Sequence, residues 1–136
     1  MNKFIYLLCC LYSAVSWSDE VDCNNPISTL DMNYCTGIEV EAAEVKMNTY
    51  LAKSIERNSE DTELIKSINA AQKVWGLYAE AHCDSIYTQW REGTIRGVMY
   101  LTCKKHLTQQ RTHDIWSNFL TYMDSTPAVL PEPIKP

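Results

Sequence analysis

Glycine and proline are nearly absent from the interior of this 136-residue chain. There are four glycines in all, and of the five prolines Pro26 stands near the start while the rest follow Thr126. With so few breakers, most of the chain from Ser28 onward can run as long helices. Beyond the first fifteen residues no apolar run is long enough for a bilayer core of about 30 Å, so no membrane insertion is expected there. Basic residues are outnumbered, 12 Lys and Arg against 17 Asp and Glu. Nucleic acid is therefore a poor partner, because its phosphates need clustered Lys and Arg. A Ser-centred elbow, a phosphate-cradling glycine loop and a paired-carboxylate signature are all missing. An enzyme is not expected, and no cofactor is implied.

The start of the chain reads as an export leader. Lys3 gives it a positive end, Phe4 to Val15 is apolar, and the small residues Ser16 and Ser18 flank Trp17 at a peptidase-like site. Cys9 and Cys10 lie inside the apolar run, and Leu7-Leu8-Cys9 lacks the small residue that a lipid-anchoring site needs. The expected organisation is a secretory signal over 1–18, a helical domain over 19–124 and a proline-rich extended tail over 125–136. Such a protein would reach the periplasm or the exterior. Losing 1–18 removes only Lys3 among the charges, leaving 11 basic against 17 acidic residues, a net charge of −6 on 118 residues (136 less 18). That is one domain with one modest core, and its charge would attract a basic partner at long range.

The expected fold is all-α, a small bundle of three long helices held by two disulfides. Ser28 followed by Asp31 resembles a capping box opening a first helix that runs to about Arg57, with Ile38, Ala42, Val45, Ala52 and Ile55 as its inward stripe. Asn58-Ser59-Glu60-Asp61 is a polar break whose acids suit a helix start. A second helix to about Trp90 carries Ile65, Ile68, Trp75, Ala79 and Ile86, with Trp75 expected in the core. Arg91 to Gly97 is the longest internal loop. A third helix from about Val98 to Met123 turns Cys103, Leu107, Ile115, Phe119 and Tyr122 inward and stops before Pro127. The tail, with four prolines, is expected to be extended and poorly ordered.

Outside the leader four cysteines remain, Cys23, Cys35, Cys83 and Cys103, an even set that suits an oxidising compartment. Of three pairings, Cys23–Cys35 and Cys83–Cys103 are favoured, the first tying the lead-in to helix one and the second bridging the glycine loop. His82-Cys83 with Cys103 and His106 would also supply two sulfurs and two imidazoles for zinc, although the usual Cys-x-x-Cys spacing is missing. A cysteine nucleophile would need a free thiolate, and the even count leaves none over. The metal reading is set aside. Arg111 shares a helical face with Leu107 and Ile115, and Glu44 is a candidate partner for it.

A set of these residues resembles the LprI-type lysozyme inhibitor family of secreted bacterial proteins. The set is Cys23, Met32-Asn33-Tyr34-Cys35, Glu44 with Met47-Asn48, Ala71-Gln72 with Trp75, Tyr78, Ala81 and Cys83, then Gly93-Thr94, Cys103, and Thr108 with Arg111. The order and spacing together, over Cys23 to Leu120, carry the likeness. Glu44, Met47 and Leu51 depart from the Asp, Leu and Tyr common in the family. The resemblance implies a helical disulfide-linked envelope domain that inhibits a lysozyme or another basic cell-wall hydrolase by surface complementarity. Two alternatives stand beside it. One is a non-enzymatic envelope interaction protein or an immunity factor against a rival's hydrolase. The other is a peptidoglycan-binding module that stacks sugars on Tyr87 and Trp90.

For the inhibitor, the expected contact is the loop carrying Trp90, Arg91, Glu92 and Arg96, whose guanidinium groups could meet catalytic carboxylates. The acidic Glu56–Glu63 turn would supply long-range steering.

Overall fold

The computed structural model describes residues 21–136; the leader, with Cys9, Cys10 and the cut after Ser18, lies outside the described residues. Among the described residues three helices make up the regular structure: α1 (Thr29–Arg57), α2 (Thr62–Gln89) and α3 (Arg96–Phe119). The cap chemistry sets two of their starts. The Asp31 N–H donates to Ser28 Oγ at 3.1 Å and the Ser28 N–H to Asp31 Oδ2 at 3.0 Å, closing the expected capping box. The Ser28 backbone N–H, then its hydroxyl, hold the Asp31 carboxyl below its ordinary pKa. Asp61 caps α2 by accepting the Leu64 N–H at 2.9 Å. No helix among the described residues is long and apolar enough to cross a membrane.

α1 and α3 run parallel, and α2 runs back between their levels. Asn33 near the start of α1 lies against Gly97 in the first turn of α3. Midway, Lys105 Nζ meets Glu39 Oε2 at 2.7 Å, and at the far end Arg57 Nη1 donates to Phe119 O at 2.8 Å. α3 is the spine: α1 packs along it on one side and α2 on another, while α1 and α2 scarcely touch. The apolar core is concentrated at the α1–α2 turn end, where Met47, Tyr50, Ile115 and Leu120 are buried with Leu51, Trp75, Trp116 and Phe119 around them. At the loop end sulfur does more of the holding. Cys23–Cys35 and Cys83–Cys103 are both formed, with Cα separations of 5.4 and 5.6 Å. The Cys83–Cys103 bond takes up the two sulfurs that a zinc site would have needed.

Three features differ from the sequence expectation. α1 turns a different stripe inward: Cys35, Val40, Ala43, Met47, Tyr50 and Ser54 are buried, whereas Ile38 and Val45 are 47% and 62% exposed. α1 carries apolar residues on two adjacent stripes, and only one can face α3. Long-range bonds select it, because Cys35 must reach Cys23 and the Tyr50 hydroxyl donates to Pro131 O at 2.7 Å. α3 stops at Phe119, four residues early, and Tyr122 lies beyond it, exposed. Arg57 captures Phe119 O and Thr121 O, both at 2.8 Å, and the Val129 N–H takes Leu120 O at 2.8 Å. The last carbonyls are satisfied without another helical turn.

The tail is extended, as its prolines require, yet it is fixed in place. It folds back along α1 and α3: Trp116 Nε1 donates to Leu130 O at 2.9 Å, and His113 Nε2 lies 3.1 Å from Glu132 Oε1. Val129 and Leu130 join the core, and Pro133 is buried. Its carbonyls find donors on the helices, which is how a strand-less segment can be ordered.

Two predictions follow from these anchors. Removing the Cys83–Cys103 bond by Cys83→Ser/Cys103→Ser lowers the melting temperature more than removing Cys23–Cys35. The two closed loops span 12 and 20 residues, and in the chain-entropy model that difference is worth only a few tenths of a kcal/mol, out of roughly 3 kcal/mol for either bridge. The larger part of the difference comes from burial, since Cys83 is fully buried and Cys23 exposed. A greater loss for the Cys23/Cys35 double variant contradicts this. Deleting residues 128–136 destabilises the protein by about 2 kcal/mol or more, because the Val129 and Leu130 side chains leave the core; an unchanged thermal melt shows the tail to be ornamental.

Candidate functional site

α2 ends at Gln89, the loop from Trp90 to Ile95 is drawn tight by turn bonds (Gly93 N–H to Trp90 O, 2.9 Å), and α3 begins at Arg96. Cys83 and Cys103 clamp the two helices a short way behind it. The loop end brings Trp90, Arg91, Glu92 and Arg96 together. Arg91 Nε lies 3.4 Å from Glu92 Oε1, a pair so exposed that water largely screens it. The Arg96 guanidinium stands 5.1 Å over the Tyr87 ring, and its Nη1 donates to Arg91 O at 3.4 Å. Trp90 is 43% exposed. Arg96 therefore belongs to the first turn of α3 and not to the loop.

Electrostatically this end is unlike the rest of the chain. α3 starts with no side-chain cap and no acid in its first turn, so the positive end of its dipole is left uncompensated beside Arg91 and Arg96. A local cationic spot thus sits on an acidic protein. The acidic turn, with Glu60, Asp61 and Glu63, lies at the other end of α2, about 42 Å away for a helix of 28 residues. The sequence did not single out Ile27 and Leu30, nor give Tyr34 a surface role, yet the structure leaves the three 85%, 81% and 57% exposed at the loop end. Their spacing across the Ser28 cap was the available signal, since a helix start between apolar residues turns some of them outward.

Away from the loop, a cleft of about 590 Å³ opens between α1 and α2 with α3 as its floor. Glu44, Asn48, Gln72, Gly76 and Glu80 line it, and Lys104 Nζ reaches Glu44 Oε1 at 3.6 Å. Glu44 thus pairs with Lys104 rather than with Arg111, contrary to the expectation from sequence. Arg111 instead donates from Nε to Gln72 Oε1 at 3.0 Å, because the antiparallel register of α2 on α3 sets those residues opposite each other. Gln72 is itself oriented by its Nε2, 3.6 Å from Met47 Sδ. Trp75 packs against the core but is only half-buried, and it lines the cleft as well. It is both core and wall.

The family model described as "Lysozyme inhibitor LprI" matches residues 23–115. The chain is also similar to "Uncharacterized protein R02472" of Rhizobium meliloti (strain 1021), 27% identical over 120 residues, a match spanning 80% of this chain and 86% of that protein. No solved structure matches.

Gly76 yields a test of the cleft's shape. It lies inside α2, where glycine costs about 1 kcal/mol relative to alanine, and a Cβ built on it meets nothing within 4 Å. Gly76→Ala should therefore raise stability by roughly 0.5–1 kcal/mol in a denaturant titration. A loss of stability would mean that the cleft is narrower than described.

Proposed function

The chain belongs to the LprI lysozyme inhibitor family, and on that premise we propose that it is an exported, non-enzymatic inhibitor of a lysozyme-like peptidoglycan hydrolase, acting by surface complementarity. The observation that carries the reading beyond the family is the loop end. Two arginines and an exposed tryptophan gather there beside an uncapped helix start, clamped by a buried disulfide. Hydrolases of this class work with carboxylates, and guanidinium groups are suited to paired contact with carboxylate oxygens. Trp90 supplies the apolar anchor, with Leu30 and Tyr34 of α1 as further apolar area at the same end. The disulfide fixes the loop before binding, so little ordering entropy is lost on contact.

The acidic surface has a separate role. Its charge draws a basic hydrolase in and shapes the association rate and its salt dependence, whereas the loop governs dissociation. Export to the periplasm or exterior fits the two disulfides, which persist in oxidising surroundings. The immunity-factor variant of this reading uses the same surface against a rival's hydrolase. Of the sugar-stacking pair Trp90 is exposed, whereas Arg96 covers one face of Tyr87 and Tyr100 meets its ring at 6.1 Å.

Inhibition measured against a panel of cell-wall hydrolases tests the proposal. For any hydrolase that the oxidised protein inhibits, Arg91→Ala/Arg96→Ala should weaken inhibition at least tenfold, mostly through faster dissociation. Glu60→Gln/Asp61→Asn/Glu63→Gln keeps the α2 cap, because Asn caps as well as Asp, and should slow association and flatten its salt dependence. Full inhibition by the folded double-arginine variant would rule out the loop as the contact. No inhibition of any panel member would rule out the function itself.

A further inference from the structure

On the side of the α2–α3 pair that carries Tyr78 and Asp114, a small pocket of about 170 Å³ is lined by Trp75, Tyr78, Leu107, Gln110, Arg111 and Asp114. It lies far from the loop end: Arg111 is 15 residues beyond Arg96, about 22 Å along α3. The pocket is about the size of one amino-acid residue, and its chemistry has two signs.

Arg111 supplies the cation. Its Nε is fixed on Gln72 Oε1, and among the described residues no acceptor meets its two terminal amino groups. Burial draws its pKa down while Asp114 pulls it back up, so the guanidinium is partly desolvated without a paired carboxylate. The chain Met47–Gln72–Arg111 runs through all three helices and holds the guanidinium in one orientation. Asp114 supplies the acceptor one turn further along α3; it lines the pocket yet makes no ion pair with Arg111 among the described residues. Trp75 and Tyr78 give an aromatic wall, and Tyr78 is 55% exposed, so the pocket can be entered.

We propose that this pocket binds the C-terminal residue of a peptide. The α-carboxylate accepts two N–H bonds from the Arg111 amino groups, the last peptide N–H donates to Asp114, and the terminal side chain rests on Tyr78 and Trp75. The requirement for both partners selects the ligand. A bare anion satisfies Arg111 but faces the like charge of Asp114, and a neutral amide satisfies neither residue well. An acylated amino acid carries its carboxylate and its N–H two bonds from a shared carbon, matching a cation and an anion set a helical turn apart. The site is independent of the inhibitor reading and stands or falls separately from it.

The test titrates the oxidised protein, ¹⁵N-labelled, with N-acetylalanine while following the Trp75 indole N–H resonance. N-acetylalaninamide and acetate serve as the controls that lack the carboxylate and the N–H. The D and L forms run side by side, because a ribosomal chain ends in the second and a cell-wall stem peptide commonly in the first. A saturable shift with either form, at least tenfold weaker with the amide and with acetate, supports the pocket. Arg111→Gln should abolish it. Asp114→Asn, at an exposed position that cannot unfold the bundle, should weaken N-acetylalanine while strengthening acetate. Equal binding of the amide, no shift of Trp75 in the folded protein, or full binding by the Asp114→Asn variant with acetate unchanged would overturn the proposal.

Discussion

The Cys83–Cys103 bond is the constraint on which the arrangement of this bundle depends. α2 has one substantial neighbour, α3, and hardly touches α1. It buries Ile68, Ala79 and Cys83, and sets Trp75, at its middle, against the apolar core. The covalent pin near its C-terminus adds to that packing a fixed attachment beside the loop. The pin is fully buried on the Cys83 side, so it also occupies the place that a core side chain would otherwise fill. The result is a molecule stabilised in two different ways: apolar packing and a docked tail at the turn end, sulfur bridges at the loop end. A chain of this size has limited apolar surface to bury, and dividing the task in this way lets long helices persist without a thick core.

That division bears on what the two ends expose. Near the sulfur-held end Trp90, Tyr34, Leu30 and Ile27 are exposed, and Val74, Leu77 and Met123 are exposed elsewhere. Where packing does the work, the tryptophans are committed. Trp116 donates to the tail, and Trp75 is shared between the core, the cleft and the Arg111 pocket. The cationic loop and the acidic turn are kept a full helix length apart.

What the sequence disclosed was what local chemistry decides. Ser28 and Asp31, and the Asn58–Asp61 break, announced helix starts because a cap is made within four residues of itself. The cysteine pairing was legible because both bridges close short loops. That Trp90, Arg91 and Glu92 leave α2 together was legible because they are contiguous, whereas Arg96, read as part of the loop, opens α3. The inward face of α1 was not, since Ile38 and Val45 make as good a stripe as Val40 and Met47, and the choice is made by Cys23 and Pro131 from outside the helix. Nor was the partner of Arg111, which depends on the register between two antiparallel helices. Four prolines correctly implied an extended tail, but its docking rests on Tyr50, 81 residues away, and no local pattern could reveal that.

The parallel pairing of α1 with α3 has a consequence for how the chain reaches this state. Helices adjacent in sequence ordinarily pair as antiparallel hairpins with short closures, but here the most extensive packing joins helices separated by a third. The Glu39–Lys105 and Arg57–Phe119 contacts enclose 66 and 62 residues, so neither can form before a loop of that size has closed. α2 and α3 face no such delay, and oxidation of Cys83–Cys103 fixes their hairpin across 20 residues. A three-helix bundle is usually a low-contact-order topology; this one carries part of the kinetic burden of a β-protein, and the order in which thiols are oxidised decides how large a search α1 has left to make.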